Sequence, residues 1–193
     1  MADDRQRWEE RYATGHGAGD VTPSDFLVAH AALVRGRVLD IAAGAGRNAL
    51  FLAQRGNVVD ALDISLVGLR KACAKAAAAG LALRAAQVDL ESFPLPVERY
   101  DAVINIRYLQ RSLFAPILRA VRPGGVILFD TFLIDQQRLG HPSNPTFLLR
   151  RGELRAAFSR CEVLVYQEGL FQTHAGPAYL ARMVARRRAP GLD

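Results

Sequence analysis

The chain has 193 residues, 50% of them hydrophobic, a formal net charge of +6 and a mean hydropathy of +0.05. This is the size of one ordinary domain with enough apolar material for a core, and no apolar run approaches the ~18 residues of a membrane span. The start, Met1-Ala2-Asp3-Asp4, is too acidic for a secretion signal, and Cys73 and Cys161 form no C-x-x-C pair. A cytoplasmic protein with reduced thiols, no metal and no membrane partner is expected, as a monomer or homodimer. The positive charge is almost all arginine, since Lys71 and Lys75 are the only lysines. It is scattered, except at Arg186-Arg187-Arg188, and lacks interleaved aromatics, so a small molecule is favoured over nucleic acid as partner.

Asp3 to Ala13 reads as a helix with Trp8 and Tyr12 on one face. The glycine-rich run Ala13 to Asp20 follows. Such an arm can fold over a ligand as a lid, which makes Tyr12 and His16 site candidates, while Trp8 serves equally well as core packing. Pro23 opens a helix from Ser24 to about Val34 with an apolar face of Phe26, Val28, Ala29 and Leu33, leaving His30 structural or exposed.

Arg37 to Ile41 is the first strand. It runs into Ala42-Ala43-Gly44-Ala45-Gly46 and then a helix from Arg47 to Arg55, which Gly56 stops. Glycine lets the backbone turn tightly and approach a ligand, and the helix points free N–H groups at the same spot. Ala42 fits this loop if its φ is negative. Asn57 to Leu62 is the second strand and ends at Asp63, whose two oxygens suit the diol of an adenosine ribose or the cap of the helix that follows.

Ser65 to Ala79 is an alanine-rich helix ended by Gly80, and Leu81 to Val88 is the third strand, followed by Asp89-Leu90. A proline-broken loop leads to the fourth strand, Arg99 to Ile106, apolar at its centre as a buried parallel strand should be. Arg107-Tyr108-Leu109-Gln110-Arg111 then lies at the carboxyl edge, where open α/β sheets bind ligands. Ser112 to Val121 is a helix, Arg122-Pro123-Gly124-Gly125 a tight turn, and Val126 to Phe132 the fifth strand. The long polar loop from Ile134 to Arg150 carries Arg138 and His141. Glu153 to Phe158 is a short helix, Glu162 to Gln167 and Tyr179 to Ala185 are a last pair of strands, and Arg186 to Asp193 is a frayed tail.

Gly44-Ala45-Gly46-Arg47-Asn48-Ala49 also fits a dinucleotide fingerprint, with Asp63 downstream. Asp40 decides against it. A carboxylate four residues before Gly44 repels a pyrophosphate and attracts the cationic amino acid end of S-adenosylmethionine (SAM). An NAD(P)-dependent oxidoreductase is therefore the less favoured reading.

From Trp8 to Ala185 the chain resembles the class I SAM-dependent methyltransferases, and within them the small methyltransferases of the tellurite-resistance type. The resemblance rests on Trp8-Glu9-Glu10-Arg11-Tyr12, Val38 to Asn48, Val59 to Ser65, Tyr100-Asp101-Ala102-Val103, and the helix-Pro-Gly-Gly-strand passage Leu118 to Gly125. It implies a Rossmann-like, doubly wound α/β fold: seven strands, mostly parallel, the last antiparallel, with helices on both faces. A single domain is expected, with residues 1–34 as arm, 35–186 as SAM-binding core and 187–193 as tail. It implies SAM held by Asp40, Ala42, Ala43, Gly44, Gly46, Arg47, Asn48, Asp63, Ile64, Asp89 and Leu90, with Asn105, Ile106 and Arg107 on the methionine side.

Two departures stand out: Ala42 and Ala43 replace the family's usual Gly and Cys, and Arg107 to Arg111 replaces an apolar, histidine-bearing segment. The expected reaction is methyl transfer to a small anionic or soft nucleophile, such as a tellurite- or selenite-like oxyanion or a thiol, with RNA or protein as the alternative acceptor. Arg107, Arg111, Arg138 and His141, with Tyr12 and His16 from the arm, are the expected substrate-handling groups, because guanidiniums attract and orient small anions.

Overall fold

The computed structural model describes residues 2–15 and 22–189. His16 lies outside them. Strands β1 (Arg37–Ile41), β2 (Val58–Asp63), β3 (Leu83–Gln87), β4 (Tyr100–Ile106), β5 (Val121–Phe132), β6 (Cys161–Thr173) and β7 (Gly176–Arg187) form one sheet in the order β3-β2-β1-β4-β5-β7-β6. β1 to β5 pair in parallel, and β7 lies antiparallel between β5 and β6. The helices are α1 (Ala2–Ala13), α2 (Asp25–His30), α3 (Arg47–Gln54), α4 (Leu66–Ala78), α5 (Phe114–Ala120) and α6 (Glu153–Ala157). Among the described residues no helix is long and apolar enough to cross a membrane.

Alternation along the strands splits the core into two. Val38, Ile104 and Leu128 pack with Phe26 and Leu27 of α2, Ala49 and Leu52 of α3 and Leu69 of α4. Leu39, Val103, Ile127 and Phe129 pack on the other face with Ile117 of α5, Leu154 of α6 and Phe158. There Phe114, Phe129 and Phe158 meet at 5.7 to 6.1 Å between ring centroids, at steep angles.

Several boundaries differ from those read in the sequence. α2 stops at His30 and a tighter turn, Ala31–Leu33, continues it. The change of pitch rotates the buried face onto Phe26, Leu27, Ala31 and Val34, so Val28 and Leu33 are exposed at 48% and 37%. The segment Arg122-Pro123-Gly124-Gly125 loops out of β5, because the pairing jumps from Tyr100↔Val121 to Ala102↔Val126. A Cβ on Gly125 would lie 2.6 Å from Val121 Cγ1 and 2.7 Å from Asp101 O, so only glycine fits there. The β6–β7 hairpin is longer than expected, and Arg186 and Arg187 are paired strand rather than frayed tail. Arg187 is fixed by donating to Val121 O at 2.6 Å and Glu98 Oε1 at 2.7 Å.

Candidate functional site

The carboxyl ends of β1, β2, β4 and β5 meet at one edge of the sheet. β1 leads into the Ala42–Gly46 loop, with Gly44 at φ +56° and Gly46 at φ +80°. A Cβ on Gly46 would lie 2.6 Å from Ala72 Cβ, so its lack of a side chain lets the loop close on α4. Ala42 sits at φ +55°, which overturns the negative φ expected for it. An alanine held there is strained by roughly 1–2 kcal/mol. Arg107, just past β4, also has a positive φ, +60°.

Two buried carboxylates face this loop. Asp63 accepts from the Gly44 N–H at 2.7 Å and the Ser65 N–H at 2.8 Å, one on each oxygen. Burial pushes its pKa up, against the pull of those N–H groups. Asp40 is 1% exposed, and its pKa is pushed up to about 8 by burial first and the nearby Asp63 charge second. Arg47 and the Ala49 N–H oppose that rise. Asp40 Oδ2 and Asn105 Oδ1 are sealed from solvent with no donor among the described residues. The Asn105 oxygen is an acceptor, and Asp40 Oδ2 becomes one when the carboxyl is ionised. A cationic group carrying N–H donors would satisfy them, whereas an anion would not. Asn48 is engaged through its Oδ1, which accepts from Ser24 N–H at 3.0 Å. Ala43 and Leu90 are buried, Ile106 is 5% exposed, and Asp89 accepts from the Glu91 N–H at 2.9 Å. Ile64 O accepts from Gln87 Nε2 at 3.0 Å.

α1 comes to the same edge. Its Tyr12 hydroxyl lies where a Cβ on Gly44 would be, 2.1 Å from that position. Burial first, then Asp63, pushes the Tyr12 pKa up to about 12. Glu9, which sequence reasoning passed over, fastens the helix in place. Its carboxylate accepts from Ser65 Oγ at 2.7 Å and from the Leu66 and Val67 N–H groups, both at 2.9 Å. Ser65 Oγ accepts from the Gly68 N–H at 3.0 Å. Three orphan donors at the start of α4 are thereby met. Gly68 stands where a capping box has Glu or Gln; Asp63 takes the Ser65 N–H instead, and Glu9 takes the next two.

The arginines expected to handle substrate separate. Arg111 is bidentate to Glu153 at 2.5 and 3.0 Å and also donates to Thr146 O and Leu148 O, so it fastens the 134–150 loop to α6 instead of facing the sheet edge. Arg138 is an exposed partner of Asp135 at 3.5 Å. His141 is exposed, and its carbonyl accepts from Gln136 Nε2. Arg107 alone lies at the edge, with its Nη1 sealed and unpaired among the described residues. Beside it are buried Asp130 and Arg182, which face each other in register across β5 and β7. Each interrupts a run of apolar residues, Val126 to Phe129 before Asp130 and Met183 to Ala185 after Arg182, a pattern that marks a buried ion pair in a sequence. The hairpin tip also brings His174 Nε2 to 3.4 Å from Arg47 Nη1. A groove of about 500 Å³ at the opposite edge of the sheet, lined by Arg35, Asp101, Arg122 and Arg186, holds none of the sealed unpaired atoms.

Residues 38–125 match the family described as "Methyltransferase domain". An uncharacterised protein of Mycobacterium tuberculosis is 37% identical over 111 residues, 53% of this chain and 39% of that protein. The malonyl-[acyl-carrier protein] O-methyltransferase of Salmonella typhimurium is 35% identical over 99 residues, 49% of this chain and 38% of that protein. The chain thus spans about two fifths of the length of these curated relatives. Among solved structures, TehB from Haemophilus influenzae superposes with a TM-score of 0.74 at 22% identity, covering 85% of this chain and 62% of that one. A protein that converts a disulfide bond into a thioacetal group during echinomycin biosynthesis gives 0.71 at 24%, covering 89% and 84%. At these identities the likeness is one of fold.

Proposed function

We propose that the chain is a class I SAM-dependent methyltransferase, a reading supported by the match of residues 38–125 to a methyltransferase domain family, and that it moves the methyl group of SAM to a small anionic or soft acceptor. The observation that carries the cofactor is the pair of sealed acceptors, Asp40 Oδ2 and Asn105 Oδ1, beside the glycine loop. The ammonium and sulfonium of SAM fit such a site, and the pyrophosphate of NAD does not. Asp63 keeps a lone pair on each oxygen for the ribose hydroxyls. Asp89 and Leu90 lie where the third strand ends, toward the adenine, and the Ala42–Gly46 backbone, Arg47, Asn48, Ile64, Ile106 and Tyr12 close the rest.

SAM supplies a methyl group open to attack by a lone pair. The protein's part is to hold the acceptor in line and keep water out. An oxyanion lone pair or a thiolate needs no general base. Tellurite, selenite and small thiols fit this class. The similar proteins are associated with different chemistries, malonyl-[acyl-carrier protein] O-methylation and the conversion of a disulfide bond into a thioacetal group among them. The acceptor argument therefore rests on this chain's own side chains.

Calorimetric titration with SAM, and with NAD as control, tests the reading. SAM should bind and NAD should give no heat. Replacing Asp63 by Asn should weaken SAM at least about tenfold, the value of one charge-assisted hydrogen bond. NAD binding without SAM binding would overturn the proposal. Salt-dependent RNA affinity would move the acceptor to nucleic acid.

A further inference from the structure

Two guanidiniums and one carboxylate are packed together where β4 and β5 reach their carboxyl ends and the middle of β7 runs beside them. Asp130 is fully buried and accepts from Ser24 Oγ at 2.9 Å. Arg182 is 7% exposed, with its Nε 3.5 Å from Asp130 Oδ1, too far and too poorly aimed for a hydrogen bond. Its guanidinium carbon lies 4.2 Å from the Phe171 ring centroid and 5.6 Å from that of Phe26. That of Arg107 lies 4.6 Å from the Phe132 ring, and its backbone N–H donates to Asp130 O at 2.7 Å. Arg107 Nη1, Arg182 Nε and Asp130 Oδ1 are all sealed and unpaired among the described residues. The outer charges near Arg107, Arg47 and Asp25, are of opposite sign.

The inner cluster thus carries one positive charge in excess, walled by aromatic rings. An uncompensated buried charge is strongly unfavourable. The strained φ of Arg107 at the same place shows that the surrounding structure over-determines its position.

We propose that Arg107 and Arg182 form a receptor for one monoanionic oxygen group of the methyl acceptor, and that the nucleophile is a different atom of the same molecule. This rests on the methyltransferase reading and narrows its acceptor. A single excess charge matches a monoanion better than a dianion. Oxygens gripped by two guanidiniums are poor nucleophiles, because their lone pairs are engaged. The attacking atom is then the sulfur of a thiol acid, whose thiol proton passes to solvent as the new S–CH3 bond forms, or the chalcogen of a hydrogen selenite-type oxyanion; in both cases the methyl–sulfonium bond of SAM breaks and S-adenosylhomocysteine leaves.

The test is calorimetric titration of the full chain with mercaptoacetate and its neutral match mercaptoacetamide, with and without S-adenosylhomocysteine. Hydrogen selenite is the third probe, and its binding separates a chalcogen oxyanion from a carboxylate. At least one anion should bind about tenfold or more tighter than mercaptoacetamide. Arg182→Met should erase that preference. Because this variant strands Asp130 and can unfold the chain, Asp130→Asn is its companion. It keeps the shape and removes the competing carboxylate, so anion affinity should rise several-fold. A purely structural ion pair predicts no rise. Equal affinity for all probes, no binding of any, or no rise in Asp130→Asn overturns the receptor. Anion binding without SAM binding would remove the methyltransferase reading and leave the receptor standing.

Discussion

Asp40 ties proton binding to cofactor binding. Its folded pKa, about 8, lies well above its value in an unfolded chain. Between those two values the folded state holds a proton that the unfolded state has lost, so this residue makes stability fall as pH rises through that window. Asp40→Asn removes the effect. The ligand-free variant should melt above the wild type at pH 8, and the gap should close toward pH 4. A cationic cofactor needs the ionised form, so wild-type SAM affinity should fall as pH drops below about 8, with a proton released on binding near neutrality. Titrations in buffers of different ionisation enthalpy measure that proton; a flat pH profile would remove Asp40 from the cofactor's partners. At this scale the sequence showed the strand-end acids Asp40 and Asp63 clearly, since chain position alone puts them at the edge. It did not show which arginine stays there. Arg107 and Arg111 are four residues apart, and contacts with Glu153, Thr146 and Leu148, far along the chain, remove Arg111.

Among the elements, α1 is held to α4 by the Glu9 carboxylate, with Lys71 donating to the Tyr12 carbonyl at its far end. Burial pushes the Glu9 carboxyl up, but hydrogen bonds from Val67, Ser65 and Leu66 outweigh it and the net pKa is lowered. A lowered carboxylate stabilises above its unfolded pKa, and that stabilisation is lost as pH falls through the folded one. Glu9→Ala should cost about 1 kcal/mol, as lost caps do. It should also speed hydrogen exchange in 2–13 while the sheet keeps its protection. Unchanged exchange there would mean that the rings of Trp8 and Tyr12 hold α1 without the cap. The central strands and α3 and α4 were legible, because apolar runs and glycine stops are local signals. α2 was misphased, because a change of helical pitch leaves no mark in composition. The hairpin was cut short, because Gly169 and the polar Gln167, Glu168 and Gln172 mask its alternation.

For the molecule as a whole, stability rests on two cores back to back, and Phe129 is central to one of them, 1% exposed between Phe114 and Phe158. Phe129→Ala should cost about 3–5 kcal/mol by urea unfolding, a large part of a domain's usual 5–15 kcal/mol. A loss below about 1 kcal/mol would mean that the aromatic cluster collapses into the gap. The seven-stranded, mostly parallel sheet with its antiparallel last strand followed from the motifs' resemblance, whereas the charge cluster did not, because its members come from strands far apart in the chain.

The insertion of β7 between β5 and β6 also sets an order of events during synthesis. β7 is made after the other six described strands, yet without it β5 lacks a neighbour on one side and β6 has none at all. Until residues 176–187 leave the ribosome, β5 and β6 each present a bare edge, the kind that recruits foreign strands. Asp130 meanwhile waits in a half-built interior without Arg182. The closing of the sheet and the arrival of the second guanidinium are therefore one step, so a chain that pairs its edges wrongly also lacks half of the anion receptor.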